Sequence, residues 1–480
     1  MPLFCGWCSN GTRSVPTTLN RMQPIVLINA VGLTPRLLEH APRLKALAAT
    51  GWHTDMPEVL PAVTCTAQAT LLTGVMPNKH GVVANGWLHH STNEVRFWQQ
   101  CNKLIQAVPV YETARIRAKE RNKEFKSAKL FWWFNQGAAV DISVTPKPHY
   151  AVNGDKAFGI TGTPPEVAEG LERLYGPFPF AAFWGPMAGV KCTQWIAKAA
   201  ANVLQFEKPH LTLAYLPHLD YEPQRFGPKG CDMARCVKEL DDACEPLLDV
   251  AKERGAQVWV VSEYGHCDVT RPVYLNRVLR EAGLLQVRGG PFGEHLDLYG
   301  SRAFAVVDHQ LAHVYIRDPE DIAHVRAVLA AVPGVAKLYA GEERADIHLN
   351  HHRSGELVLL SEPDAWFAYP FWLDDALAPD YARAVAIHAK PGFDPCELFF
   401  DPKLRFPKLR VACRLLQKKL GFRTTFDVVP LGAEIVRGSH GLAAADPLDR
   451  PILIGHGPTP SASVPMTQVK EMLLTALGLE

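Results

Sequence analysis

The sequence predicts an α/β protein: a mostly parallel central sheet between helical layers, with a smaller α+β cap subdomain attached. Three observations carry this. Residues 25–30 (I-V-L-I-N-A), 211–216 (L-T-L-A-Y-L) and 258–261 are near-continuous apolar runs, as suits strands buried on both faces of a parallel sheet. The first run is broken by Gly32 and followed by Thr34-Pro35, an N-cap and first-position pair that opens a helix through about Leu47. After about Gly289 the runs become shorter and the spacing changes, which marks a second unit.

Taken in order, a charged helix is expected over 112–122, an apolar strand over 130–134 (L-F-W-W-F), and a Pro/Gly-rich loop over 146–163. Two amphipathic helices follow in 164–206, then the 211–216 strand, a helix over 233–254 and the 258–261 strand. The later unit offers short strands at 303–307, 313–316, 335–339, 356–360 and 366–369, with a helix at 319–332. Residues 376–424 are rich in Pro, Lys and Arg with little periodicity, and 464–479 form an amphipathic helix. The expected division is a disordered tail at 1–21, the first part of the core at 22–288, the cap at 289–425, and a return segment at 426–480. The stretch before Met22, which directly precedes the first strand, is expected to be either a loose tail or the product of an upstream start codon with Met22 as the natural start.

Composition excludes several classes. A net charge of +1 gives no general field for nucleic acid, so no nucleic-acid polymer is expected as partner. No run of about 18 apolar residues exists, so no membrane partner is expected either. The first 21 residues lack the apolar core of a secretory signal. Eleven cysteines without regular spacing read as free thiols in a reducing compartment, hence a cytoplasmic location. Cys5 and Cys8 form a lone CxxC, a weak metal or redox signal.

Three strand ends carry polar groups: Asn29, Asp220 in P-H-L-D, and Glu263 in S-E-Y-G-H. In a parallel sheet, ligands collect at the carboxyl ends of the strands, so these three are expected along one site edge. The stretch Pro61–Trp87 adds a hydroxyl pair, Thr64 and Thr66, at the start of a short helix closed by Gly74. A hydroxyl there either caps the helix or faces an anion held by unpaired amides.

These pieces together resemble the nucleotide pyrophosphatase/phosphodiesterase (type I phosphodiesterase) branch of the alkaline phosphatase superfamily. Five motifs match in order: V-L-I-N-A-V-G-L-T-P; P-A-V-T-C-T with T-G-V-M-P-N-K-H-G-V-V-A-N-G-W; Y-L-P-H-L-D-Y-E-P-Q-R-F-G-P; V-V-S-E-Y-G-H; and G-S-H-G. The resemblance implies an alkaline-phosphatase-like fold and a threonine nucleophile, Thr64, between two metal ions. It also implies an amide, Asn85, that donates to a phosphate oxygen. A metal is needed because a threonine hydroxyl is a poor nucleophile unless its charge is stabilised.

By the same resemblance, Asp220 and His440 keep their metal-ligand positions and Glu263 replaces an aspartate. Gln224 and Tyr264 stand where the family has histidines, and Val31 where it has an aspartate. Asn29 shares the strand face of Val31. The expected metal set is therefore Asp220, Gln224, Glu263 and His440, rich in oxygen, suiting one divalent ion (Mg, Mn or Zn). His218, Glu222, His266 and Asp268 lie nearby and are candidates to complete the set, each read first as a solvated or structural group. In the cap, Arg353, His388 and Lys390 are assigned to a small phosphorylated substrate, and the paired His351-His352 is expected to point to opposite faces of a strand. A second polar cluster there is Asp308, His309, Gln310 and His313.

The leading functional reading is a metal-dependent hydrolase of a phosphodiester, pyrophosphate or related phospho- or phosphonate bond, acting through Thr64. The alternative is a catalytically impaired relative that binds or regulates. A phosphoryl transferase or mutase is a third reading, with no residues here to distinguish it.

Overall fold

The computed structural model describes residues 22–152, 156–422 and 424–480. The expected tail, 1–21, with its CxxC, lies outside the described residues. The strands that organise the molecule are β1 (Ile25–Ala30), β2 (Trp52–Asp55), β3 (Ser127–Leu130), β4 (Ile142–Pro146), β5 (Ile160–Thr163), β6 (Leu211–Leu216), β7 (Gln257–Val261), β8 (Ala303–Asp308), β9 (Leu311–Ile316), β10 (Val335–Ala340), β11 (Leu357–Ser361) and β12 (Ile452–Gly455).

One eight-stranded sheet runs β2-β12-β7-β1-β6-β3-β4-β5. Its centre, β7, β1, β6, β3 and β4, is parallel. The strands at the two edges pair antiparallel. The reason lies in the sequence: every residue of β1 and β6 is buried, so neither face needs polar alternation. Helices α2 (Val190–Glu207) and α3 (Met233–Glu253) pack on one another, and their apolar stripes join the strands in a single buried cluster. Asn29 lies in register with Tyr215 and Val261, so the three central strands end level, and their following loops meet at one edge.

A second, four-stranded antiparallel sheet runs β8-β9-β11-β10 and has its own apolar cluster. Its first strand ends in Asp308, which reaches back to the loop carrying Asn85. The two sheets are thereby tied beside the site.

Several local expectations are corrected. The helix after β1 is a 3₁₀ turn, Pro35–His40, then a separate α-helix, Pro42–Thr50. The aromatic run at 130–134 leaves the sheet after Leu130, because Phe131 and Phe134 take left-handed backbone with φ of 63° and 56°. The 146–163 loop is partly strand. Residues 376–424 contain α4 (Pro407–Lys419), whose 3.6-residue spacing of apolar residues the reading of that segment missed. His351 and His352 sit in a turn with ring centroids 4.2 Å apart, so they do not oppose each other across a strand. Among the described residues all nine cysteines are free.

The helix α1 (Thr64–Thr73) is fixed to the loop behind it by His80. Val82 N–H donates to His80 Nδ1 at 3.1 Å, so the proton is on Nε2, which donates to Thr70 Oγ1 at 3.0 Å. That hydroxyl donates in turn to Thr66 O at 2.9 Å. Burial pushes the imidazole down to about 3, so it stays neutral in the fold while an unfolded histidine titrates near 6.5. Its contribution to stability is thus present above pH 6.5 and is lost as pH falls towards 3. Replacing it, His80→Leu, is expected to lower unfolding free energy at pH 7 by on the order of 2 kcal/mol, because Val82 N–H and Thr70 lose a partner. The same variant is expected to flatten the acid-side decline, both read by urea unfolding across pH 4–8.

Candidate active site

Thr64 is the first residue of α1, after an extended Val63 that provides no side-chain cap. Thr66 does not cap either; its hydroxyl is buried without a partner. The cap reading of this hydroxyl pair is therefore overturned, and the first-turn amides keep the unpaired character that suits an anion. Cys65 N–H is the exception, since it donates to Asn85 Oδ1 at 2.9 Å. That bond fixes the orientation of the Asn85 amide. Its Nδ2 must then face Asp308 Oδ1, 3.1 Å away, while Asn85 N–H donates to Asp308 Oδ2 at 2.7 Å. One of the two amide hydrogens is thus committed to Asp308, and one is left for an incoming group. Burial pushes the Asp308 carboxyl up to about 7, against the two Asn85 bonds that favour its charge.

Thr64 Oγ1 lies 3.0 Å from Tyr264 Oη, and Tyr264 Oη donates to Asp220 Oδ1 at 3.1 Å. Tyr264 has one hydroxyl hydrogen, so in this arrangement Thr64 donates to Tyr264 and keeps its own lone pairs free. The same Asp220 oxygen is 3.2 Å from His266 Nε2 and 3.7 Å from His440 Nε2. Asp220, His266 and His440 form a group able to hold a metal ion, their ligand atoms all within 4.8 Å of one another.

His440 is oriented for that task. Its Nδ1 lies 2.7 Å from Ala62 O, an acceptor, so Nδ1 carries the hydrogen. Nε2 then holds a lone pair, and it is buried with no partner. Tyr264 stacks on the imidazole at 3.6 Å, and His309 lies 3.6 Å from it, so the ring is clamped between two others. Phe393 stacks behind His309 at 3.8 Å. Burial, and then the neighbouring His309, drive the His440 imidazole well below its ordinary value. Burial opposes the Asp220 charge, yet the His266 bond and the two imidazoles hold its carboxyl below the ordinary range. Two imidazole nitrogens beside a carboxylate oxygen are a donor set that a divalent ion binds. Gly32 makes room for His266: its φ is +75°, and a Cβ there would meet the imidazole at 3.0 Å.

The other half of the family's ligand set is dismantled. Val31 is buried among apolar groups. Glu263 falls outside the ligand cluster. Its Oε1 accepts from Asn29 Nδ2 at 2.6 Å and from Gln68 Nε2 at 2.7 Å. Gln68 is oriented by Trp133 N–H, which donates to its Oε1 at 2.8 Å. Glu263 Oε2 has no partner, and burial pushes the carboxyl up to about 8. A carboxyl held by two neutral amides beside a valine does not fit a second divalent ion. Gln224, also expected as a ligand, is buried with neither amide atom partnered.

Of the nearby groups read as structural, three are so. His218 meets Glu239 at 3.0 Å, Glu222 pairs with Arg225 at 2.9 Å, and Asp268 accepts from Lys229 N–H at 3.1 Å. His266, a candidate to complete the set, is the one that the structure brings beside Asp220 and His440. The available signal was its spacing: two residues after Tyr264 in an extended segment, it shares that side of the chain. Asp308 and His309 were assigned to the cap, and no sequence signal brings them here.

The three substrate-facing residues fare unequally. His388 is exposed, with Nδ1 3.2 Å from Phe97 O; Phe97 pairs with Gly86, next to Asn85. Arg353 is tied down, donating to Gly81 O and Leu104 O at 2.6 and 2.7 Å beneath the Trp87 ring. Lys390 is buried between Asp394 and Glu397, each 2.7 Å away, so its charge is already met inside the protein.

Glu263 gives a pH test. Its carboxyl is raised in the fold from about 4.5 to about 8, so its contribution to stability is present below pH 4.5 and is lost as pH climbs to 8. Asp308 has the same sign. In metal-free protein, Glu263→Gln is expected to reduce the decline in unfolding free energy between pH 5 and pH 8.5 by on the order of 1–3 kcal/mol. Equal slopes in urea titrations of the two proteins would contradict the assignment.

Comparison with known proteins places this geometry. Residues 25–394 match the family described as type I phosphodiesterase / nucleotide pyrophosphatase. An uncharacterized pyrophosphatase/phosphodiesterase of Schizosaccharomyces pombe is 22% identical over 307 residues, covering 61% of this chain and 54% of that protein. Rat ectonucleotide pyrophosphatase/phosphodiesterase family member 1 is 22% identical over 262 residues, 52% of this chain and 24% of its own. The chain thus spans about half the length of the first relative and a quarter of the second. Among solved structures, murine ectonucleotide pyrophosphatase/phosphodiesterase 5 in complex with AMP superimposes with a TM-score of 0.58 at 15% identity, over 95% of this chain and 96% of that one. Phosphonoacetate hydrolase from Sinorhizobium meliloti 1021, in complex with phosphonoacetate, does so with a TM-score of 0.59 at 16% identity and the same coverage. With its motifs in order and most of its length matched, the chain belongs to the type I phosphodiesterase/nucleotide pyrophosphatase family.

Proposed function

We propose that the chain hydrolyses a phosphodiester, pyrophosphate or related phospho- or phosphonate bond, with Thr64 as nucleophile and one divalent ion at Asp220, His266 and His440. The observation that carries this is the line of contacts from Thr64 Oγ1 through Tyr264 Oη to Asp220 Oδ1, ending in the ligand cluster. The small phosphoryl and phosphonyl ligands of the two structural neighbours fit this reading. Bound at these residues, a divalent ion supplies charge that offsets the non-bridging oxygens of the substrate.

The chain's own groups do the rest. The hydroxyl of Thr64 points its hydrogen at Tyr264, which leaves Oγ1 lone pairs free to attack phosphorus. As the Oγ1–P bond forms, the bond from phosphorus to the leaving group breaks; the Thr64 proton passes to Tyr264 as the Tyr264 proton passes to the Asp220 carboxylate, and the leaving group takes a proton from solvent. Water then cleaves the Oγ1–P bond, and the proton on Asp220 returns through Tyr264 to Thr64. Such a relay needs hydrogen-bond distances throughout, and both links have them. The free hydrogen of Asn85 and the first-turn amides of α1 donate to the non-bridging oxygens, where negative charge develops. Burial keeps the surroundings of low polarity, where these dipoles act strongly. His388, at the rim, is the cap residue best placed to touch the part of the substrate that leaves.

The altered second ligand position favours one competing reading, that of an impaired relative which binds a phosphorylated ligand without turnover. Hydrolysis of bis-p-nitrophenyl phosphate in Mn, Mg and Zn separates the two. Turnover that falls by about 10³-fold or more in Thr64→Ala supports the enzyme. No turnover with any of the three ions overturns it. Tyr264→Phe is expected to lower kcat by about 10- to 100-fold with KM changed by less than about 3-fold, because it removes a proton path and no ligand contact.

A further inference from the structure

The helix α4 is placed with its polar side inward. Arg410 and Arg414 both bond to Asp427, Arg414 through Nε at 3.1 Å and Nη2 at 3.2 Å. The opposite side is apolar and faces solvent: Leu409 is 60% exposed, Leu416 58% and Leu420 67%, and Phe406 and Phe422 at the two ends are 61% and 64% exposed. A helix on a globular protein normally does the reverse, burying its apolar stripe. None of the residues of α4 is buried. A contiguous apolar face of this kind marks a surface made to be covered.

The charge around it identifies the cover. From 402 to 426 the sequence carries eight Lys or Arg and no Asp or Glu, within a chain whose net charge is only +1. Lys403, Arg405, Lys408 and Lys419 are exposed around the apolar face. Two copies of the chain joined through this face would set one basic rim against another. An anionic bilayer meets both features at once, with acyl chains for the leucines and phenylalanines and headgroups for the lysines.

We propose that the face formed by Phe406, Leu409, Leu416, Leu420 and Phe422 docks on the surface of a membrane containing anionic lipid. No helix among the described residues is long and apolar enough to cross a membrane, and this one lies along the surface. The expectation that no membrane is a partner rested on spanning segments alone, and this face departs from it. Docking at this face is independent of whether Thr64 is catalytic.

Co-sedimentation of the full chain with vesicles of phosphatidylcholine, alone or with about 30% phosphatidylserine, tests this. The expected result is binding to the anionic vesicles at least about tenfold tighter than to the neutral ones, falling steeply with added salt. The pair Leu416→Glu/Leu420→Glu and the pair Lys408→Glu/Lys419→Glu are each expected to lose at least about tenfold of that binding with unchanged thermal unfolding, since these side chains are exposed. In Leu416→Trp, the indole emission is expected to shift to the blue on anionic vesicles. No binding to anionic vesicles overturns the proposal, as does equal binding to both. So does a dimer in sedimentation equilibrium that the leucine pair abolishes, which would make a second copy the cover.

Discussion

A single carboxylate oxygen, Asp220 Oδ1, organises the site. Tyr264 Oη, His266 Nε2 and His440 Nε2 converge on it at 3.1, 3.2 and 3.7 Å, and Thr64 joins through Tyr264. These residues come from four separate segments of the chain. Their meeting depends on β1, β6 and β7 ending level, which in turn depends on apolar runs long enough to be buried on both faces. The ring stack from Tyr264 through His440 and His309 to Phe393 then ties the core to the second sheet.

The site is asymmetric. On one side, two imidazoles and a carboxylate, His266, His440 and Asp220, lie close enough together to hold a cation. On the other, an aspartate position is Val31, and the remaining carboxyl, Glu263, is held by Asn29 and Gln68. The amides of Asn29 and Gln68 make a hydrogen-bonded wall with Glu263 on the side of Val31. Tyr264 is central to this change, because the residue that displaces a family histidine also supplies the hydroxyl that touches Thr64.

Much of this was legible in the sequence, and the failures have physical reasons. The strands of the parallel centre were read closely because burial on both faces leaves an unmistakable run, as in L-T-L-A-Y-L. Thr64, Asp220 and His440 were legible because motif order carried them. His266 was not, since a histidine in a loop looks the same whether it binds a metal or solvent. Lys390 and Arg353 were misjudged because sequence shows a charge but not the carboxylates or carbonyls that already satisfy it. The 130–134 run failed as a strand because tertiary packing bends it outward at Phe131, and its Trp133 amide then serves Gln68. The helix α4 was passed over because its apolar stripe, though regularly spaced, is interleaved with arginines and lysines.

In the proposed reading one ion is held at Asp220, His266 and His440, and the amides of Asn29 and Gln68 leave no place for a second. Counting ions on the full chain tests it most directly: the protein is stripped with chelator, reloaded with Zn or Mn, dialysed and measured by elemental mass spectrometry. One ion per chain, lost in His266→Ala, is the predicted result. Two ions per chain, or one that survives His266→Ala unchanged, would contradict it.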